Sequence, residues 1–453
     1  MFFVRFLRFL SFEFCKIAVR LQKKVIPRAK HNHTEIVLKL VRFVIGVHWS
    51  DVDDAIAVKY LKQLESICTT YNILPIQFSR DPKATQSKLT ITKSILYSSL
   101  MAVNIIHLIL LSSFDLPVEW HHLLGDFFHG HPNGRFFWLF FLNGSIFGEA
   151  LRRVWIYLAR DGHSTSFKFE LIYSKGFKSQ LLCMDQFYCR KLRFFVTNLA
   201  IFWVRIIFCA TISFAPILIF IFHSVSQLPQ TLEQYIFSGF WLIITYLGFV
   251  WVMTNAILIG SLITIKLCYF YFKVAHVART VQNLALKRLQ SNNASYLLDY
   301  KATVREIIRY QNEIEQVNVG IRNLFIVAYL GISFVDNFGI YAAVFVHIDR
   351  GLMDFFIVNI VMIGFVVIGV CSYTNGVMLS KMHSCCKNLR KATRHLQLNV
   401  QAFIKVTDLE DRLSRTDIAF TIGKILNLTT RVFVIYLIEN ICLIMMFKVN
   451  LRN

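Results

Sequence analysis

Four histidines and an aspartate crowd one short stretch of this sequence, and three charged residues sit deep inside apolar ones. These are the side chains whose types and spacing could do chemistry. His121 and Asp126 are separated by four residues, in His-His-Leu-Leu-Gly-Asp. At that spacing an imidazole can take a proton from a hydroxyl while the carboxylate orients the ring. His122, His129 and His131 lie close by, and His129 and His131 are two apart. Such a pair can hold a metal from an extended segment or titrate near neutral pH. No phosphate-binding segment, glycine-rich phosphate loop or serine nucleophile elbow accompanies them. The sequence therefore assigns no catalytic residue, no cofactor and no metal, and the stretch reads as a polar connection.

Arg205, Asp336 and Glu439 each lie within a long apolar run. A charge at the centre of a bilayer costs about 2.5–3.5 kcal/mol on insertion scales, so such residues face protein or water. Arg205 and Asp336 are read as a structural intramembrane pair. Glu149 precedes Arg152 and Arg153 by three and four residues, the spacing of a local helical ion pair. Tyr246, Tyr329 and Tyr341 are the aromatic residues read as lining a small-molecule pocket.

The elements that position these residues follow from composition. Of 453 residues, 55% are hydrophobic and 17% charged, and mean hydropathy is +0.51. Soluble domains carry about 25% charged residues, so a water-soluble enzyme is disfavoured. With only 19 glycines and 7 prolines, the chain suits long helices in lipid. Seven apolar stretches reach the length of about 20 residues that a crossing needs. They are 89–114, 136–158, 194–222, 237–265, 324–347, 353–379 and 429–447. The expected fold is an all-α membrane protein with seven transmembrane helices.

Charge gives the orientation. Connections 1–88, 159–193, 273–322 and 381–428 carry 39 Lys and Arg, against 4 in 115–135, 223–236, 348–352 and 448–453. The positive-inside rule then places the N-terminus in the cytoplasm and the C-terminus outside. This asymmetry also absorbs most of the net charge of +22, so no nucleic-acid partner is needed. None of the ten cysteines falls in an outer connection, so no outer disulfide is expected. The reading divides the chain into a cytoplasmic region 1–88 with a basic amphipathic helix in its first 25 residues, spans one to four in 89–272, a cytoplasmic helical segment 273–322, spans five and six in 323–380, a second cytoplasmic helical segment 381–428, and span seven with a short outer tail in 429–453. Val304, Ile307, Ile308, Ile314 and Val317 recur at helical spacing in the first of these segments. Spans four to six are thus expected to continue as helices into the cytosol, through which subunits assemble.

Seven spans in this orientation, with long helical inner segments before spans five and seven, resemble the insect gustatory and odorant receptor superfamily. The stretch from Val304 to Asn318 and the stretch from Cys386 to His395 look like the family's corresponding segments. The family's last-span mark is Thr-Tyr, five apolar residues, then Gln-Phe. Here Thr430-Arg431 or Val432-Phe433 stands at the first pair, and Leu437-Ile438 or Glu439-Asn440 at the second. The resemblance implies a divergent, gustatory-receptor-like plasma-membrane protein. It further implies a ligand-gated cation channel whose small-molecule ligand opens a homo- or heterotetramer of related subunits around span seven. Glu439 would then form an acidic ring, with Tyr436 and Leu443 one turn away on the same pore face. Two rival readings come from other classes. A secondary transporter lacks the expected internal repeat and matched broken spans. A membrane lipid acyltransferase rests on the His121–Asp126 spacing alone.

Overall fold

A long apolar run with few breakers must satisfy every backbone group inside its own segment, and the helix does so. A computed structural model of the chain describes residues 52–74, 88–131, 133–160, 172–173, 175–225, 231–287, 293–348, 351–394, 396, 400–415, 418–423 and 426–450. The expected amphipathic helix in the first 25 residues lies outside the described residues. Helix α1 (Asp54–Thr70) is followed by α2 (Lys88–Ser113), α3 (Val118–Leu123), α4 (Gly134–Arg160) and the single turn α5 (Ser179–Leu182). Four long helices come next: α6 (Gln186–Val225), α7 (Leu232–Lys287), α8 (Asn293–Ile340) and α9 (Leu352–Thr393). The chain then runs through α10 (Val400–Ser414), the antiparallel strands β1 (Thr421–Ile422) and β2 (Leu426–Asn427), and α11 (Thr430–Asn450).

Helices α2, α6, α7, α8, α9 and α11 are long and apolar enough to cross a membrane. The seventh expected span, α4, has 27 residues, but Asn143, Ser145 and Glu149 dilute its apolar run. It packs against α2, α7 and α8, and Ser145, Glu149 and Arg152 are buried there. Glu149 bonds Arg152 and Arg153 at 2.7 and 2.8 Å, as their spacing predicts. Arg152 also donates to Ser98 Oγ at 3.0 Å. Ser145, Glu149 and Arg152 of α4 therefore point at protein, while Arg153, in the same ion-pair group, is exposed. The molecule is a multi-pass, all-α membrane protein.

Long helices let one element serve two cores. At the end bearing the 114–133 connection, Phe127, Phe128, Phe137, Trp138, Phe141, Phe214, Ala342 and Ile357 form one buried cluster. At the other, basic end, α7, α8 and α9 run on beyond the apolar stretches, as expected, into a cluster joined by α1, packed on α6, and by α10, packed on α9. Ile307, Ile314 and Val317 are buried there and Val304 half-buried. Ile308, expected on the same face, is exposed, because one residue turns it about 100° from Ile307. Lys273 binds the Glu313 carboxylate and lies 3.0 Å from the Tyr269 hydroxyl, which itself donates to Glu313 at 2.8 Å. His276 reaches Glu306 at 2.9 Å and Asp185 at 3.3 Å. A buried charge is tolerated when it is paired in this way. The nine described cysteines are all free.

Two features depart from the helical reading of 381–428. Helix α9 ends at Thr393 and α10 begins at Val400, and the short β1–β2 hairpin precedes the last helix. Asn375 of α9 holds that hairpin. Its side-chain amide donates to the carbonyls of Phe420 at 2.9 Å and Leu428 at 2.5 Å, and its Oδ1 accepts from the Phe420 amide at 2.9 Å. Asn318 of α8 accepts from the Thr421 amide at 2.9 Å, and the Gly423 amide donates to the Arg322 carbonyl at 3.1 Å. Replacing Asn375 by Ala removes three buried hydrogen bonds and leaves the Phe420 carbonyl only its bond from the Leu428 amide at 3.1 Å. A loss of about 2–4 kcal/mol is expected, read as a lowered thermal midpoint of the detergent-solubilised protein. Replacing exposed Phe403 by Ala should leave the midpoint nearly unchanged.

Candidate functional site

Helix α11 is apolar on nearly all sides, so its sequence alone selects no buried face. Tyr436 and Asn440 are buried, while Val434, Ile438, Ile441, Met445 and Val449 are exposed. The buried face is fixed by polar contacts. Asn440 Oδ1 accepts from Ser333 Oγ at 2.6 Å and from the Asn337 side-chain amide, both on α8. Tyr436 packs edge-on to Tyr329 of α8, with ring centroids 4.6 Å apart. Glu439 lies on the exposed face and makes no hydrogen bond or ion pair among the described residues. Leu443 is half-buried. The sequence put Tyr436, Glu439 and Leu443 on one face. Tyr436 instead belongs to the packed face, because its ring fills the seam with α8 that Asn440 closes.

The three tyrosines do not converge. Tyr246 donates to the Thr211 carbonyl at 3.0 Å and stacks near Phe214, which stacks in turn on Phe249 and Phe356. Tyr341 opens the π-helical turn Tyr341–Val346 that continues α8, and packs against Phe136 and Phe447. Tyr329 faces Tyr436. The Arg205–Asp336 pair is not among the ion pairs of the described residues. Asp336 is buried with its carboxylate against Gly364 of α9, and its Oδ2 has no hydrogen-bond partner among the described residues. A polar-lined cavity of about 310 Å³ lies elsewhere, at the basic end, among Gln311, Glu315, Asn318, Arg322, Arg412 and Asn427.

The histidine-rich connection is built onto the helix ends. Gly125 takes a left-handed conformation, φ 65°, which only glycine adopts without strain. The chain turns back, and the Asp126 amide donates to the His121 carbonyl at 2.9 Å. Asp126 Oδ2 then lies 2.8 Å from His121 Nδ1, while its Oδ1 accepts from Trp138 Nε1 at 2.8 Å and from the Phe128 amide at 3.1 Å. The His121 and His129 rings lie 4.3 Å apart. Burial, and then the neighbouring His121, hold the His129 imidazole below its usual pKa. His121 and Asp126, paired by sequence, are thus together, but His129 joins them in place of its expected neighbour His131. Sequence reasoning missed the anchors. Buried His107 of α2 contacts the Leu124 carbonyl at 2.8 Å and stacks on Trp241 of α7 at 4.0 Å, and Trp241 donates to the Leu123 carbonyl at 3.0 Å. A histidine and a tryptophan in apolar runs were the available signal. Asn133 donates to the carbonyls of Val346 and His347, which close the π-helical turn.

This geometry defines a multi-pass helical bundle with an ordered connection at one end and a one-sided last helix. Its fold is that of a known receptor. The insect olfactory receptor OR5 from Machilis hrabei in complex with eugenol superposes with a TM-score of 0.62, covering 88% of this chain and 100% of its own at 8% sequence identity. A second structure of the same receptor gives 0.60, covering 86% of this chain and 98% of its own at 10% identity. No protein-family model matches the sequence, and no curated protein does. The chain therefore has the insect olfactory receptor fold, as its sequence resemblance implied.

The anchoring role of Asp126 is open to measurement. Asp126→Ala leaves the Trp138 indole, the Phe128 amide and His121 without their acceptor, so a loss of about 2–4 kcal/mol is expected. His122→Ala, at an exposed ring, should stay within about 0.5 kcal/mol. Thermal midpoints in one detergent compare the two.

Proposed function

We propose that this chain is a divergent member of the insect chemoreceptor superfamily and acts as a ligand-gated cation channel. It sits in the plasma membrane with its N-terminus and basic end cytoplasmic and its C-terminus outside. Related or identical subunits assemble as a tetramer around α11. A gustatory role and a small apolar ligand fit the divergent last-span motif and the aromatic cluster around Tyr246, Phe214, Phe249 and Phe356. The observation that carries the reading is the exposed face of α11. One side of this helix is satisfied by α8 and α9, while Glu439 stands on the other among apolar side chains. Facing lipid, that carboxylate would be costly. Facing a shared water-filled axis, four copies form an acidic ring that favours cations. Leu443 borders that face, and Tyr436 supports it from behind.

Orientation is tested with epitopes on intact cells. A tag after Asn453 should be reachable without permeabilisation and a tag before Met1 should not, and Asn293 should carry no glycan. The reverse pattern would discard the reading. The pore assignment is tested by recording currents from cells expressing the chain during exposure to a panel of small apolar odorants that includes eugenol. Glu439→Lys should cut cation permeation sharply, and Glu439→Gln should weaken selectivity for cations over anions. Unchanged conductance and selectivity in both variants at normal surface expression would remove Glu439 from the pore.

A further inference from the structure

We propose that His121, Asp126 and His129 form a binding site for one divalent transition-metal ion of the zinc class. One ligand atom from each residue lies within 4.8 Å of the others, and the closest pair, His121 Nδ1 and Asp126 Oδ2, is 2.8 Å apart. Bonds of about 2.0–2.2 Å around a tetrahedral ion place ligand atoms roughly 3.3–3.5 Å from one another. Shifts of about an ångström at side-chain ends bring the three to that spacing. His121 would bind as the tautomer protonated on Nε2, with the Nδ1 lone pair toward the ion. Water completes the fourth position.

Three features of the surroundings suit a metal. The second oxygen of Asp126 is held by Trp138 and Phe128, which leaves Oδ2 aimed at the histidines. Outer contacts of this kind fix ligands in established metal sites. The side chains of His121 and Asp126 are only 12% and 7% exposed, so the approach of an ion is little screened by solvent. The His129 ring lies 4.3 Å from the His121 ring, so a second imidazole is within reach of the same ion.

A plain hydrogen-bonded cap explains less. Such a cap needs one imidazole on Asp126, yet a second is gathered beside it. Among the described residues the His129 side chain makes no hydrogen bond that would account for its position. The donor set chooses the ion. Two imidazole nitrogens and one carboxylate oxygen suit Zn²⁺, with Ni²⁺ and Cu²⁺ as competitors. Ca²⁺ and Mg²⁺ require six or more oxygens or near-octahedral water-rich sites. An ion here would close the 121–129 segment on itself. That segment is already fastened to α2 by His107, to α4 by Trp138 and to α7 by Trp241. The proposal does not depend on the channel reading.

The test uses the untagged full-length chain in detergent, stripped with a chelator and titrated with Zn²⁺ alone. Wild type should bind one zinc per chain and gain several degrees in thermal midpoint. It should also show the visible bands of tetrahedral Co²⁺ when cobalt is supplied instead. His121→Gln and His129→Gln, which leave the bonds of Asp126 to Trp138 and Phe128 in place, should each weaken zinc binding by roughly tenfold or more and abolish the cobalt bands. His131→Gln should bind like wild type. No saturable zinc binding by the wild type, or equal binding by the His121 and His129 variants, would overturn the assignment.

Discussion

The side-chain amide of Asn375 decides where the last helix begins. It satisfies one amide and two carbonyls of the strand segment ahead of α11. In surroundings of low dielectric such bonds are strong, and their loss is correspondingly costly. Asn318 and the Arg322 carbonyl hold the same segment from α8. With its entry fixed by two helices, α11 reaches α8 in the register that brings Asn440 to Ser333 and Asn337. That register determines which side chains turn outward, Glu439 among them. The functional reading of the last helix thus depends on amides far from Glu439.

Much of the architecture was legible in the amino-acid sequence, because length and hydropathy are summed over twenty or more residues. The seven expected stretches correspond to α2, α4, α6, α7, α8, α9 and α11, and the continuation of α7, α8 and α9 past them followed from unbroken helical pattern. The rotation of α11 was not legible. A helix apolar on every side carries no periodic signal, so the separation of Tyr436 from Glu439 came only from tertiary contacts. The β1–β2 hairpin has two residues in each strand, too few for an alternating pattern to be read. The cost of a charge in an apolar run suggests a pair between Arg205 and Asp336. The fold placed Asp336 instead against Gly364, a residue whose missing side chain leaves the room. In the histidine cluster, spacing along an extended segment suggested His129 with His131, whereas the left-handed turn at Gly125 sends the chain back toward His121.

At 8–10% identity to the receptor structures it superposes on, this chain keeps a fold with few of the same residues. Apolar helices in lipid explain how. Helix–helix contact there relies on close packing and on a small number of polar bridges, and many side chains serve equally for the first. The second requires particular partners. In this chain they are Glu149 with Arg152, Lys273 with Glu313 and Tyr269, Asn375 with the hairpin, and Asn440 with Ser333 and Asn337. Such bridges are the positions at which substitution should be least forgiving.

Helix α7 runs without interruption through 56 residues, a contour of about 84 Å at 1.5 Å per residue. Near one end Trp241 grips the histidine-rich connection, and toward the other Lys273 and His276 bind α8. A rod of that length is a lever. Rotation by about 5° about Trp241 would carry its far end roughly 6 Å, more than one helical turn of 5.4 Å. A displacement too small to disturb packing near Trp241 is large enough at the far end to change which residues of α8 and α9 it meets.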